Sequence, residues 1–130
     1  MTTMGDPKPC PCRRGEQFDL CCGPILAGER SAPTAETLMR SRYTAYVMGD
    51  VDYLLRSWHP GTRPEELALD PGQQWLFLEI VRTERGGPFD DNGIVEFVAH
   101  YKLHGTRDEM HEVSTFTRHN NAWVYLDGTF

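Results

Sequence analysis

All four cysteines of this 130-residue chain fall inside one short stretch, Cys10-Pro11-Cys12-Arg13-Arg14-Gly15-Glu16-Gln17-Phe18-Asp19-Leu20-Cys21-Cys22. Written as spacing, this is C-x-C, eight residues, then C-C. Two chemistries fit such a cluster. Disulfides are one, but a bridge between the neighbours Cys21 and Cys22 is strained, and bridges between the two pairs only cross-link a short loop. A tetrahedral metal is the other: two short sulfur-bearing turns face each other, with Gly15 and Gly23 supplying turn freedom. Cysteine clusters outside secreted proteins usually mean metal. Four thiolates close the coordination sphere of zinc, which marks a structural centre, although iron also accepts four thiolates. Lys8, Arg13 and Arg14 stand where they would offset the surplus negative charge.

The run resembles the SEC-C motif, the zinc knuckle at the C-terminus of the secretion ATPase SecA. Cys10, Pro11, Cys12, Gly15, Phe18 (for Tyr), Cys21 and Cys22 match its pattern, while Arg13 and Arg14 stand where Gly and Ser are usual. The resemblance implies zinc on Cys10, Cys12, Cys21 and Cys22, and a knuckle that docks a protein partner.

The net charge of −6 argues against a general phosphate-backbone binder. The first nine residues are polar, so a secretory h-region is absent there, and no apolar run reaches the ~20 residues of a membrane span. Cytoplasmic residence is expected, in keeping with reduced cysteines. The chain divides into a disordered tail over 1–9, a knuckle over 10–23, a Gly- and Pro-rich connector over 24–33 and a body over 34–130. Pro24 and Pro33 limit helicity in the connector, and Ile25 and Leu26 need cover from the body.

Within the body, Thr34 caps a helix running to about 48. Projection at about 100° per residue puts Ala35, Leu38, Met39, Tyr43 and Tyr46 on one face, with Arg42 inside the same arc. Asp50 caps a second helix carrying Val51, Leu54, Leu55 and Trp58, and His59-Pro60 stops it. Thr62-Arg63-Pro64-Glu65 has the pattern of a capping box opening a short third helix near 63–68. The period then becomes alternating, with strands expected near 74–84, 93–103, 108–118 and 122–127. Pairing Lys102 with Glu109 joins opposite charges across the second and third strands. It sets Ala99 opposite Glu112, Val95 opposite Phe116 and His100 opposite His111.

This layout is α+β, with helices packed on a curved antiparallel sheet. The body also resembles the YchJ-like family of small bacterial proteins, through Leu38 to Tyr46, Tyr53 to Pro64, Val95 to Ala99, His111, Glu112, Ser114, Phe116 and Trp123 to Gly128. That resemblance implies a cone-shaped domain of the nuclear-transport-factor-like (cystatin-like) superfamily behind a SEC-C zinc knuckle. It implies no activity, since the superfamily spans isomerases, dehydratases and binding modules.

Candidate pocket residues are Arg42, Tyr46, Trp58, His59, Glu112, Ser114 and Trp123. Glu112 is the one carboxylate on the apolar side of its strand pair, and Arg42 the one cation on its helix stripe. They make a buried pair facing the cone, or Arg42 snorkels and Glu112 faces out. His59 is a general base if it finds a partner in the pocket, and otherwise a cation at a helix end. His111-Glu112 does not open an H-E-x-x-H zinc motif, because position 115 is Thr. Two functions follow: an accessory protein docking a partner through its zinc knuckle, or a small-ligand binder or isomerase/hydrolase-type enzyme that uses the cone while the zinc is purely structural.

Overall fold

The computed structural model describes residues 8–130. Of the tail expected to be disordered, 1–7 lie outside the described residues, whereas Pro9 pairs with Gln17 as a bridge that closes the knuckle. A 3-10 turn, Phe18–Leu20, leads into α1 (Cys22–Leu26), so part of the expected connector is helical. Pro24 is tolerated because it stands in the first turn, where its missing N–H has no helical acceptor to lose. Ile25 and Leu26 are buried.

α2 (Ala35–Met48) begins at Thr34, whose Oγ1 accepts from the Thr37 amide at 3.1 Å, and ends at Gly49 in the left-handed conformation at φ 73°. The apolar stripe foreseen for this helix is buried apart from the half-buried Tyr46, but so are Thr37, Ser41, Thr44 and Ala45. The knuckle and Tyr53 together cover this second face. α3 (Val51–Arg56) follows, capped by Asp50.

The expected helix near 63–68 is absent. Thr62 does not cap anything; its hydroxyl donates to the Leu126 carbonyl at 2.6 Å and ties the loop to the sheet. Such side-chain bonds to distant backbone compete with local capping.

Four strands form an antiparallel meander, β1 (Gln73–Arg85), β2 (Asn92–Leu103), β3 (Thr106–His119) and β4 (Ala122–Thr129), in the order β1-β2-β3-β4. Bulges in β1 between Trp75 and Phe77, and between Ile80 and Arg82, break the clean alternation expected of it. They bend the strand, so that Trp75, Leu78 and Ile80 oppose Tyr101, Ala99 and Phe97.

The β2–β3 register differs from the charge-paired expectation by two residues. Lys102 opposes Arg107, Ala99 opposes Met110, Phe97 opposes Glu112 and Val95 opposes Ser114. The reason is the turn: His104 and Gly105 take φ 50° and 86°, a two-residue hairpin turn whose twist matches the strands. That geometry outweighs one exposed charge pair worth about 0.2–1 kcal/mol. A shift of two keeps every side chain on its face. His100 therefore opposes Glu109 and His111 opposes Val98, so the histidines do not share a site.

One core cluster, including Leu38, Met39, Tyr43, Val95, Phe97, Phe116 and Trp123, fills the space between α2 and the sheet. A second joins the four cysteines to Ile25, Leu26, Ala45, Tyr53 and Leu54 on the other side of α2. The sheet meets the start of α2 where Gly86, at φ 78°, accepts from the Ala35 amide at 2.9 Å. A Cβ on Gly93 would lie 2.5 Å from the Gly86 Cα and 3.1 Å from the Ala35 Cβ. Gly93→Ala is therefore expected to destabilise the fold by about 1–3 kcal/mol, read as a shifted urea midpoint with an unchanged slope.

Candidate metal centre and cone cavity

The four sulfurs are brought together by the two turns and by α2. Their Sγ atoms all lie within 4.8 Å of one another, and Cys12 and Cys21 are 3.6 Å apart. Tetrahedral zinc with bonds of about 2.3 Å needs sulfurs about 3.8 Å apart, so the donor set fits such an ion. The cysteines are unbridged, and each is buried.

Burial pushes the Cys21 thiol up to about 11, and Cys12 beside it adds to the effect. Hydrogen bonds with Cys10 and Cys12 push Cys22 upward as well, while bonds from Cys12 and Cys22 pull Cys10 down. The sulfurs compete for protons because one thiolate in this dry nest disfavours the next; a bound dication removes that conflict.

Second-sphere bonds come from α2. Thr44 Oγ1 donates to Cys22 Sγ at 3.3 Å and lies 3.8 Å from Cys10 Sγ. Arg40 Nη1 donates to the Cys12 carbonyl at 2.7 Å. Arg14 reaches Thr37 Oγ1 at 2.7 Å, and the Arg13 guanidinium sits 4.8 Å from the Phe77 ring centroid. The arginines of the motif thus fasten the knuckle to α2 and β1. Thr44 and Arg40 gave no sequence signal, since they lie outside the apolar stripe of the helical projection.

Across α2 from the sulfurs lies a cavity of about 190 Å³, walled mainly by aromatic rings. Arg42, Tyr46, Trp58, Glu112 and Ser114 all line it, as the sequence suggests, together with Tyr43, Trp75, Met110 and Tyr125. His59 and Trp123 do not. His59 Nδ1 accepts from the Gly61 amide at 2.9 Å, and its ring faces His119. Trp123 is buried in the core, with Nε1 donating to the Pro33 carbonyl at 3.3 Å. Tyr125 takes the pocket position instead, two residues or about 7 Å further along β4.

Arg42 and Glu112 are both buried in the cavity wall, but the direct ion pair expected of them does not form. Arg42 Nη1 donates to the Leu54 carbonyl at 2.8 Å and to Ser57 Oγ at 2.7 Å. Its guanidinium packs 5.0 Å from the Trp58 ring and 4.7 Å from the Tyr125 ring. Burial holds Arg42 below the usual arginine range, partly countered by Tyr46, Tyr125, Tyr53 and Glu112. Glu112 Oε2 accepts from Ser114 Oγ at 2.6 Å and from Tyr125 Oη at 2.8 Å. Burial, followed by the charge of Glu112, drives the Tyr125 hydroxyl upward, so it stays a donor. Tyr125 thus stands between the two charges, its ring on the cation and its hydroxyl on the carboxylate. Each charge keeps neutral partners, so removing one does not strip the other. Arg42→Met is accordingly expected to cost about 1–3 kcal/mol, the loss of buried hydrogen bonds, rather than the ~3–5 kcal/mol of a broken buried pair; thermal unfolding with matched denaturant titration distinguishes the two.

A family model described as the YchJ middle NTF2-like domain matches residues 34–128. A UPF0225 protein of Streptomyces coelicolor is 52% identical over 122 residues, covering 94% of this chain and 95% of the relative. One of Chromobacterium violaceum is 50% identical, covering 92% and 90%. The solution structure of a SEC-C motif containing protein from Rhodopseudomonas palustris superposes with a TM-score of 0.81 at 33% identity, covering 92% of this chain and 96% of that one. A crystal structure of a SEC-C motif containing protein from Psychrobacter arcticus gives 0.72 at 26%, covering 92% and 79%. With its α+β body, its four-cysteine cluster and these relatives, the chain belongs to the YchJ-like family of UPF0225 proteins, built on a nuclear-transport-factor-like domain.

Proposed function

We propose that this protein binds a small molecule in the cone of its sheet, and that its four-thiolate centre is a structural zinc clip. The observation that carries the reading is the cavity of about 190 Å³, in which a buried cation, a buried carboxylate and a tyrosine hydroxyl converge among aromatic walls. A pocket of apolar walls with a few placed polar groups is the form small-molecule sites take. A structural rather than catalytic centre is favoured by the donor set: four sulfurs within 4.8 Å leave no position for substrate. Cys10, Cys12, Cys21 and Cys22 would hold the ion, and it would supply folding free energy. Residence in the cytoplasm fits thiols that must stay reduced.

The wall supplies its own test. Ala99 lines the cavity and is buried against α2. Ala99→Leu is expected to fill the space and abolish binding of a small aromatic probe while the fold stays cooperative, followed by the fluorescence of Trp58 and Trp75. Unchanged probe affinity in the filled variant overturns the reading.

The clip makes a separate prediction. Elemental analysis is expected to find one zinc per chain. Its removal by a chelator should lower stability by at least about 3 kcal/mol, a fraction of the ~10–16 kcal/mol with which structural zinc binds. The sulfurs share a core with Ala45, Tyr53 and Leu54, so the loss should spread through the body rather than stay in the knuckle. A chelator-insensitive melting temperature removes zinc from the account.

Docking of a protein partner through the knuckle is a second reading, favoured by one feature. Leu20, at the end of the 3-10 turn, is 56% exposed on the outer side of the centre. Leu20→Glu, which leaves the sulfurs untouched, should then abolish capture of that partner; capture at wild-type strength sinks it.

A further inference from the structure

The cavity wall also indicates what kind of molecule it takes, an inference that rests on the small-molecule reading above. Three features define the wall. First, it carries one positive and one negative side chain, both buried and held apart by Tyr125. A bound cation meets Arg42 and a bound anion meets Glu112, so either charged ligand faces one like charge in a dry site. Second, each charge has spare capacity. Both hydrogen bonds to Glu112 go to Oε2, and both from Arg42 come from Nη1. Third, the rings of Trp58 and Tyr125, 5.0 and 4.7 Å from the Arg42 guanidinium, hold it in place, so its unused donors are fixed in direction.

Size and shape narrow the class further. The volume of about 190 Å³ lies below the ~300–1,000 Å³ of drug-sized sites, which leaves room for one ring. Trp75 stands 5.5 Å from Tyr46 and 5.4 Å from Tyr101, centroid to centroid, and such flat walls favour a flat ligand.

From this wall we infer that the cavity takes a small, uncharged, planar molecule that carries a carbonyl-type acceptor next to an N–H or O–H donor, an amide or lactam being the simplest case. The acceptor meets the unused donors of the Arg42 guanidinium, and the donor meets the Glu112 carboxylate. Ser114 and Tyr125 keep that carboxylate oriented. A zwitterion would also match the two charges, but both of its ends would have to be stripped of water among aromatic rings.

The test uses probes of one shape and different polarity on the full metal-loaded chain: benzamide, benzoate, benzylammonium, phenylglycine and toluene, titrated by calorimetry or by chemical-shift changes. Benzamide is expected to bind at least tenfold more tightly than each of the others. Glu112→Gln keeps an oxygen for Ser114 and Tyr125 but removes the negative charge, and should strengthen benzoate at least tenfold relative to benzamide. Arg42→Lys keeps the positive charge but removes the unused guanidinium donors, and should weaken benzamide at least threefold while leaving toluene unchanged. If benzoate, benzylammonium, phenylglycine or toluene matches or beats benzamide in the wild type, the polarity assignment is overturned while the cavity remains a binding site. If benzamide wins but neither variant shifts the preference, the roles given to Glu112 and Arg42 are overturned. If no probe binds, the ligand class and the small-molecule reading both fall.

Discussion

Everything in this fold depends on α2 being buried on two faces. A helix lying on a sheet needs one apolar stripe; this one has a second face of Thr37, Ser41, Thr44 and Ala45, also buried. Small hydroxyl residues suit the second face because what covers it includes sulfurs and a tyrosine hydroxyl that they can bond, beside the aliphatic Ile25, Leu26 and Leu54. The Thr44 hydroxyl bonds to Cys22 Sγ, and Ser41 meets Tyr53 Oη at 2.6 Å. Without the knuckle these residues would form an ordinary solvated helix face, and the 130-residue chain would lose one of its two cores. In a chain this short, an ion that orders such a face substitutes for apolar area that the sequence does not contain.

The sheet imposes the complementary constraint. Bulges in β1, and another in β4 where Leu126 is left over between the partners of Thr115 and Phe116, bend the meander so that it does not close flat on α2. A gap remains where Arg42 and Glu112 sit. Close packing would fill such a gap with methyl groups at small energetic cost. Here it is walled with large rings and two buried charged side chains instead, features that lower stability unless a ligand uses them.

The sequence displayed the elements whose signals are local. The cysteine spacing, the Thr34 cap, the Gly49 stop and four alternating runs all lie within a few residues of what they specify. Arg42 and Glu112 were also legible, each as a misfit in an apolar pattern. Features decided by contacts distant in sequence could not be read. The capping box at Thr62 was overridden because Thr62 bonds Leu126, 64 positions away. The β2–β3 register turned on two positive φ angles at His104 and Gly105 rather than on charge. Tyr125 replaced Trp123 in the pocket because both share a face of β4, and only the position of α3 decides which one meets Arg42. Thr44 gave no warning, since a threonine facing solvent and one facing a metal nest look alike in a helical projection.

The two halves of the molecule meet in α3. Leu54 is fully buried in the core that includes the cysteines, and its carbonyl accepts from Arg42 in the cavity wall. Ser57, one turn further, holds the same guanidinium, and its backbone pairs with Tyr125: the Tyr125 amide donates to the Ser57 carbonyl at 2.9 Å. The position of the cation, and of the ring beneath it, is thus set from the side of the molecule that the thiolates organise. An ion that clipped the four cysteines and so ordered α3 would also fix the donor geometry of a cavity it never touched. Under the proposed reading, a centre with no open coordination site would then still serve function, because preorganising a polar group in a pocket is a large part of selective binding.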